Sequence, residues 1–199
     1  MKIDPTRVRE RVIETRLKNW PRILPAQHRR TPTGAGYGLS RFSSPTNAFR
    51  VLYAAHDFST SFAEAVVRDR FENKSRRYLY LPYLESLCIT QISSNRELQL
   101  LDLRKGAAYE LGIDTDASRS RKHDRGQALA ETLYAEIPEL DGIAFDSRLT
   151  DGACVAVFER ALPDLTGRPP IALVQAAQLS IEIKRMGIVL RRKRGYAKT

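Results

Sequence analysis

Residues 34–64, GAGYGLSRFSSPTNAFRVLYAAHDFSTSFAE, decide how the chain is read. A glycine-rich loop leads into Arg41-Phe42. The run Val51-Leu52-Tyr53-Ala54-Ala55 is apolar and short enough for a buried strand, and a helix is expected to start at Ser59-Thr60-Ser61. Ser61-Phe62-Ala63-Glu64 matches a capping box, which would make Glu64 a helix-start residue. The glycines fall as G-x-G-x-G rather than G-x-G-x-x-G, outside any strand-to-helix context, so a Rossmann dinucleotide fingerprint is not expected.

Before this stretch, Asp4 is an acidic N-cap candidate followed by Pro5 at the first helical position. Val8, Val12, Ile13 and Leu17 then share one helical face, so an amphipathic helix is expected over residues 4–18, filling most of an N-terminal segment 1–20. Pro21 and Pro25 bracket Arg22-Ile23-Leu24 as a short extended piece.

After the stretch, strands are expected at 78–81, 87–92 and 97–103. A short helix over 105–111 would end at Gly112, and 114–125 reads as a polar loop. A helix follows over 126–135, with Pro138 just past its end. Strands at 142–145 and 153–158 should pair antiparallel through an Asp151-Gly152 turn. Residues 163–170 read as a linker, and 179–184 with 187–190 as a final hairpin. This order lacks regular β-α-β alternation and shows no repeat. The expectation is one compact α+β domain over 1–199, with mixed and antiparallel sheets and flanking helices.

Composition bounds the partners. The 199 residues carry a formal charge of +10, and 42% of them are hydrophobic, enough for a core. Such a surface attracts anions: nucleic acid, acidic protein faces, anionic lipid or phosphorylated small molecules. Cys88 and Cys154 lie in apolar, strand-like surroundings away from metal-ligand spacings and are expected to be reduced core residues. His28, His56 and His123 form no H-x-H or HExxH arrangement, so no metal is expected. With no apolar leader core and no membrane-length span, a soluble cytoplasmic protein is expected.

Four pieces in fixed order carry a family resemblance: Arg41-Phe42 before Pro45, Leu52-Tyr53-Ala54, Phe62-Ala63-Glu64, and Asp141-Gly142-Ile143-Ala144-Phe145-Asp146-Ser147-Arg148. Together with the eleven-residue step from Tyr53 to Glu64, they make the chain resemble the RES domain family, from about Arg22 to its C-terminal end. Leu39-Ser40 stands where that family often has paired glycines, Ser43 where an asparagine is frequent, and the stretch between Glu64 and Ser147 is long.

The resemblance implies a fold similar to ADP-ribosyltransferase toxins and an enzyme that degrades NAD as substrate. Nicotinamide would be cleaved from ribose with inorganic phosphate or water as acceptor, arresting growth. It also implies a separate Xre-type helix-turn-helix antitoxin, with DNA met only through that partner. No membrane role follows, and self-association is compatible with the residues.

On the matching positions, Arg41, Tyr53, Glu64 and Ser147 become the expected catalytic set, with Arg22, Arg41, Tyr53 and Ser147 holding NAD. The chemistry suits these types. Breaking an N-glycosidic bond builds positive charge on the ribose, which a carboxylate stabilises. Arginines recognise a pyrophosphate, and a tyrosine can pack on the flat nicotinamide. Ser147 would hold a ribose hydroxyl or orient Glu64. His56 lies between Tyr53 and Glu64 and is a candidate pocket-lining residue. Two other readings stay open: ADP-ribosyl transfer to a macromolecule, and non-enzymatic nucleic-acid binding through Lys184-Arg185 and Arg191-Arg192-Lys193-Arg194.

Overall fold

The computed structural model describes residues 3–68, 70–71, 74–111 and 123–192. Its centre is a five-stranded sheet in the order β1-β6-β7-β8-β3. The strands are β1 (Val12–Thr15), β3 (Val51–Ala55), β6 (Leu98–Asp102), β7 (Gly142–Asp146) and β8 (Ala153–Phe158). β6 and β7 run parallel and the other neighbours antiparallel.

β7 and β8 are buried on both faces, so their sequences are almost continuously apolar rather than alternating. Ile143, Phe145, Ala156 and Phe158 pack on one side with Leu129, Ala130 and Leu133 of helix α5 (Asp124–Glu136), while Ala144, Val155 and Val157 pack on the other. The chain passes closely at Gly142, where an added Cβ would lie 2.3 Å from the Ala156 carbonyl oxygen.

The second face is covered by a smaller sheet built on β5 (Leu87–Ser94), with β2 (Trp20–Pro25) on one edge and β9 (Leu165–Gly167) and β10 (Ile171–Ala172) on the other. Trp20, Ile92 and Leu165 fill the space between the sheets. A third core joins helix α2 (Phe58–Phe62) to α3 (Leu81–Glu85), α6 (Leu179–Arg185) and the parallel pair of β4 (Arg77–Tyr80) with β11 (Ile188–Arg191). The α+β expectation holds, with mixed and antiparallel sheets and flanking helices.

Several local expectations are corrected. The N-terminal helix α1 spans only Pro5–Arg9, capped by Asp4. Val12 and Ile13 then sit on opposite faces of β1, each against a different core, a placement a helix cannot provide. Residues 163–170 are no free linker, since β9 pairs with β5 before Pro169 and Pro170 interrupt the ladder. The final hairpin is a helix followed by a strand. Leu179 and Ile183, four residues apart, face the core, while Ile181 is 64% exposed.

The expected helix over 105–111 is a tight turn at Arg104–Gly106 followed by α4 (Ala107–Glu110). Most of the polar loop expected over 114–125, with Gly112, lies outside the described residues. So do Lys193 and Arg194 of the basic C-terminal end over 185–199.

Candidate active site

The site opens between the edge strand β3 of the large sheet and the edge strand β2 of the small one. It is a cleft lined by Arg22, Arg41, Tyr53, Glu64, Arg68 and Phe145, among others. Three arginines and one carboxylate in such a cleft suit an anionic ligand with one centre of positive charge.

Glu64 is placed by an irregular helix. The preceding helix α2 is capped one turn before Ser61, because Asp57 is the N-cap and accepts hydrogen bonds from the Thr60 amide (2.8 Å) and hydroxyl (2.9 Å). With that role filled, Ser61 and Glu64 form no capping box. Glu64 instead falls in a π-helical turn over Ala63–Val67, closed by the Arg68 amide donating to the Ala63 carbonyl at 2.8 Å. Such turns are rare and recur at functional sites because they turn a side chain out of the regular register.

The Glu64 carboxylate is held from two sides. The Ser147 hydroxyl donates to Oε1 at 2.6 Å, and Arg68 Nη1 approaches Oε2 at 3.3 Å. Ser147 follows the end of β7 and is only 1% exposed, with its amide donating to the Gly152 carbonyl (2.9 Å) and its Oγ accepting from the Leu149 amide (3.1 Å). Ser147 thus meets Glu64 and is not among the residues that line the cleft. Gly152 is pressed against α2, where an added Cβ would lie 2.0 Å from Thr60 Oγ1, so the turn that delivers Ser147 is fitted to the helix start that delivers Glu64.

Arg41 and Tyr53 are tied together. The Phe42 amide donates to the Tyr53 hydroxyl at 2.9 Å, and the Phe42 ring packs edge-on against Phe145, with centroids 5.1 Å apart. Arg41 is thereby drawn into the wall at 5% exposure, its guanidinium carbon 6.0 Å from the Phe145 ring centre. Burial lowers its pKa to about 10, helped by repulsion from Arg68 and Arg148 and opposed by Glu64 and Tyr53, so it stays charged at neutral pH. Burial pushes the Tyr53 phenol up to about 12, leaving it neutral.

Arg22 lines the same cleft and shapes it. Its Nη1 and Nη2 donate to the carbonyls of Pro32 (3.2 Å) and Gly34 (2.8 Å), fastening the glycine-rich loop, and burial lowers its pKa to about 10. Cys154 is another buried lining residue. Desolvation and the nearby charge of Glu64 raise its thiol pKa far above neutrality, so it is no thiolate nucleophile.

His56 is not among the lining residues. It is exposed and packs edge-on against Trp20, with ring centres 5.3 Å apart. The two cysteines are free and buried, as expected. Among the described residues, no group of three or more His, Cys, Asp and Glu gathers in a metal-binding arrangement, and no helix is long and apolar enough to cross a membrane.

Two residues, Arg68 in the cleft wall and His123 behind it, escaped the sequence reading. Arg68 stands four residues after Glu64, a spacing that brings side chains together on a helix. His123 comes from the far side of the chain, with Nε2 2.8 Å from Arg68 Nη2 and Nδ1 2.5 Å from the Leu39 carbonyl. The first could have been found by pairing charges; the second depends on tertiary structure.

The RES domain model matches residues 11–181. This chain belongs to the RES domain family. It is 37% identical over 82 residues to a Sinorhizobium fredii protein described as "Probable toxin y4kH", a stretch covering 41% of this chain and 65% of that one. The matched stretch is thus less than two thirds of that relative's length. Its fold is similar to a chain in the crystal structure of the M. tuberculosis MbcT–MbcA toxin–antitoxin complex, with a TM-score of 0.62, 83% of this chain and 89% of that chain covered, and 19% identity. At that identity the likeness speaks to fold alone.

Proposed function

We propose that this chain is the toxin of a toxin–antitoxin pair and that it cleaves the nicotinamide–ribose bond of NAD in the cytoplasm. The observation that carries this reading is the Glu64 carboxylate, fixed by the buried Ser147 hydroxyl in a cleft whose other charged lining groups are the guanidiniums of Arg22, Arg41 and Arg68. Family membership, and the names borne by the S. fredii relative and the MbcT–MbcA complex, support the toxin assignment.

In this mechanism the arginines take the diphosphate of NAD. Arg41 is suited to the task because its charge is pre-placed in a partly dehydrated wall, where attraction to an anion is stronger than in water. The flat nicotinamide ring finds aromatic surface at Tyr53 and Phe145. As the C1–N bond breaks, its electron pair leaves with nicotinamide, which departs neutral, and positive charge passes to the ribose ring. Glu64 stabilises that charge, with Ser147 keeping the carboxylate in place. Water then adds to C1 and loses a proton, giving ADP-ribose, or phosphate adds to give ADP-ribose 1-phosphate. NAD is a substrate here, with inorganic phosphate as a candidate co-substrate and no resident cofactor.

The partner in this reading is a separate Xre-type antitoxin, through which the toxin would meet DNA. Product analysis tests the reading. Purified chain incubated with NAD, with and without phosphate, is expected to release free nicotinamide together with ADP-ribose or its 1-phosphate, identified by NMR. Intact NAD would overturn the proposal, and label from NAD bound covalently to a protein would redirect it to ADP-ribosyl transfer.

A further inference from the structure

We propose that His123 is a positioning residue of the cleft: as the neutral Nδ1–H tautomer it holds one edge of Arg68, so that the other edge stands beside Glu64 and meets a phosphate oxygen of the substrate. The tautomer follows from the partners. A guanidinium only donates, so the His123 Nε2 that lies 2.8 Å from Arg68 Nη2 must accept. A carbonyl only accepts, so the Nδ1 that lies 2.5 Å from the Leu39 oxygen must carry the proton. Both ends require the same state of the ring.

The consequence is mechanical. Arg68 reaches Glu64 at 3.3 Å, a loose approach for a charged pair. Histidine fixes the Nη2 edge and leaves Nη1 directed toward Glu64. One turn further along α5, Gln127 Nε2 donates to the Ser40 carbonyl at 3.2 Å. A single helix end therefore braces Arg68 and also the backbone just before Arg41. The two guanidinium groups are set on a common frame, suited to an anion with two phosphates rather than one.

The identity of the substrate rests on the proposed NAD reading, but the bracing of a diphosphate site can be measured without it. Inorganic pyrophosphate is the probe, with binding followed by calorimetry on the whole chain. His123→Asn retains an amide N–H near the Nδ1 position, and so the tie to Leu39, but cannot reach Arg68. His123→Gln places an amide oxygen near the Nε2 position and can still accept from Arg68. Pyrophosphate is expected to bind the wild type, to bind His123→Asn about tenfold or more weakly, the scale of one charge-assisted hydrogen bond, and to bind His123→Gln within about threefold of the wild type. Arg68→Met should weaken binding as His123→Asn does, and adding His123→Asn to it should have little further effect.

Equal binding by all variants, Gln as weak as Asn, or no binding by the wild type would overturn the proposal. In parallel NAD assays, His123→Asn is expected to raise KM more than it lowers kcat. A wild type inert toward NAD with the pyrophosphate pattern intact would overturn the proposed function and leave the positioning role standing. Normal turnover with no difference among variants would overturn the positioning role alone.

Discussion

At the scale of single residues, the site depends on how Glu64 is held and how Arg41 is delivered. Ser147→Ala removes the 2.6 Å hydrogen bond to the carboxylate and leaves the Leu149 amide without its acceptor. A loss of about 1–2 kcal/mol in folding stability is expected, measured by denaturant titration, with a fall in NAD turnover on the order of tenfold or more. Tyr53→Phe deletes the acceptor of the Phe42 amide, so the segment bearing Arg41 loosens and KM should rise. This tyrosine also gives a pH signature. Its folded pKa of about 12 lies above the ordinary value of 10, so its contribution to stability is fully present below pH 10 and is lost as the pH rises toward 12. The stability difference between wild type and Tyr53→Phe should therefore be constant up to pH 10 and shrink above it in urea titrations at each pH. A difference that grew across that range would contradict the burial of this hydroxyl.

At the scale of elements, the site depends on two closely fitted junctions. Gly152→Ala would drive a Cβ into Thr60, separating the turn that carries Ser147 from the helix start that positions Glu64. Gly142→Ala would press on the backbone of β8 in the middle of the large sheet. Both substitutions should destabilise by about 2 kcal/mol or more in thermal or denaturant unfolding: at Gly142 the far side is backbone that cannot yield, and at Gly152 it is the Thr60 and Asp57 side chains, held to each other in the cap of α2. Much of this layer was legible in the sequence. The strand around Tyr53 and the antiparallel pair ending at Ser147 were visible as apolar runs bounded by turn residues. What was not legible arose where one pattern served two structures: Val12-Ile13 fit a helix stripe as well as a strand with a core on each face, and Ile181 and Ile183 alternate like a strand yet lie on a helix. Glu64 was obscured by Ser61, whose capping signature is overridden because Asp57 caps first. The π turn has no sequence signature of its own, so its placement of Glu64 could only come from the folded chain.

At the scale of the whole molecule, the charge of +10 is partly committed to structure. Arg185 pairs with Glu182 and reaches Ser59, tying α6 to α2, and Arg191 stacks on Tyr78 in the β4–β11 layer, so part of the C-terminal cluster that raised the nucleic-acid reading serves packing. The remaining positive potential around the cleft should speed the arrival of an anionic substrate, making kcat/KM for NAD fall as salt is raised from low to physiological concentration. Arg22, Arg41, Tyr53 and Glu64, drawn from both sheets, the loop before β3 and the helical segment after it, converge on that cleft, with Ser147 behind the carboxylate. The most direct test of this convergence is the NAD turnover of Glu64→Gln beside the wild type, with thermal unfolding as control. Glutamine keeps an oxygen for Ser147 to donate to and loses only the charge. An unchanged fold and a rate lowered on the order of a hundredfold or more are expected; a folded Glu64→Gln variant that turns over NAD at the wild-type rate would contradict the role proposed for the Glu64 charge.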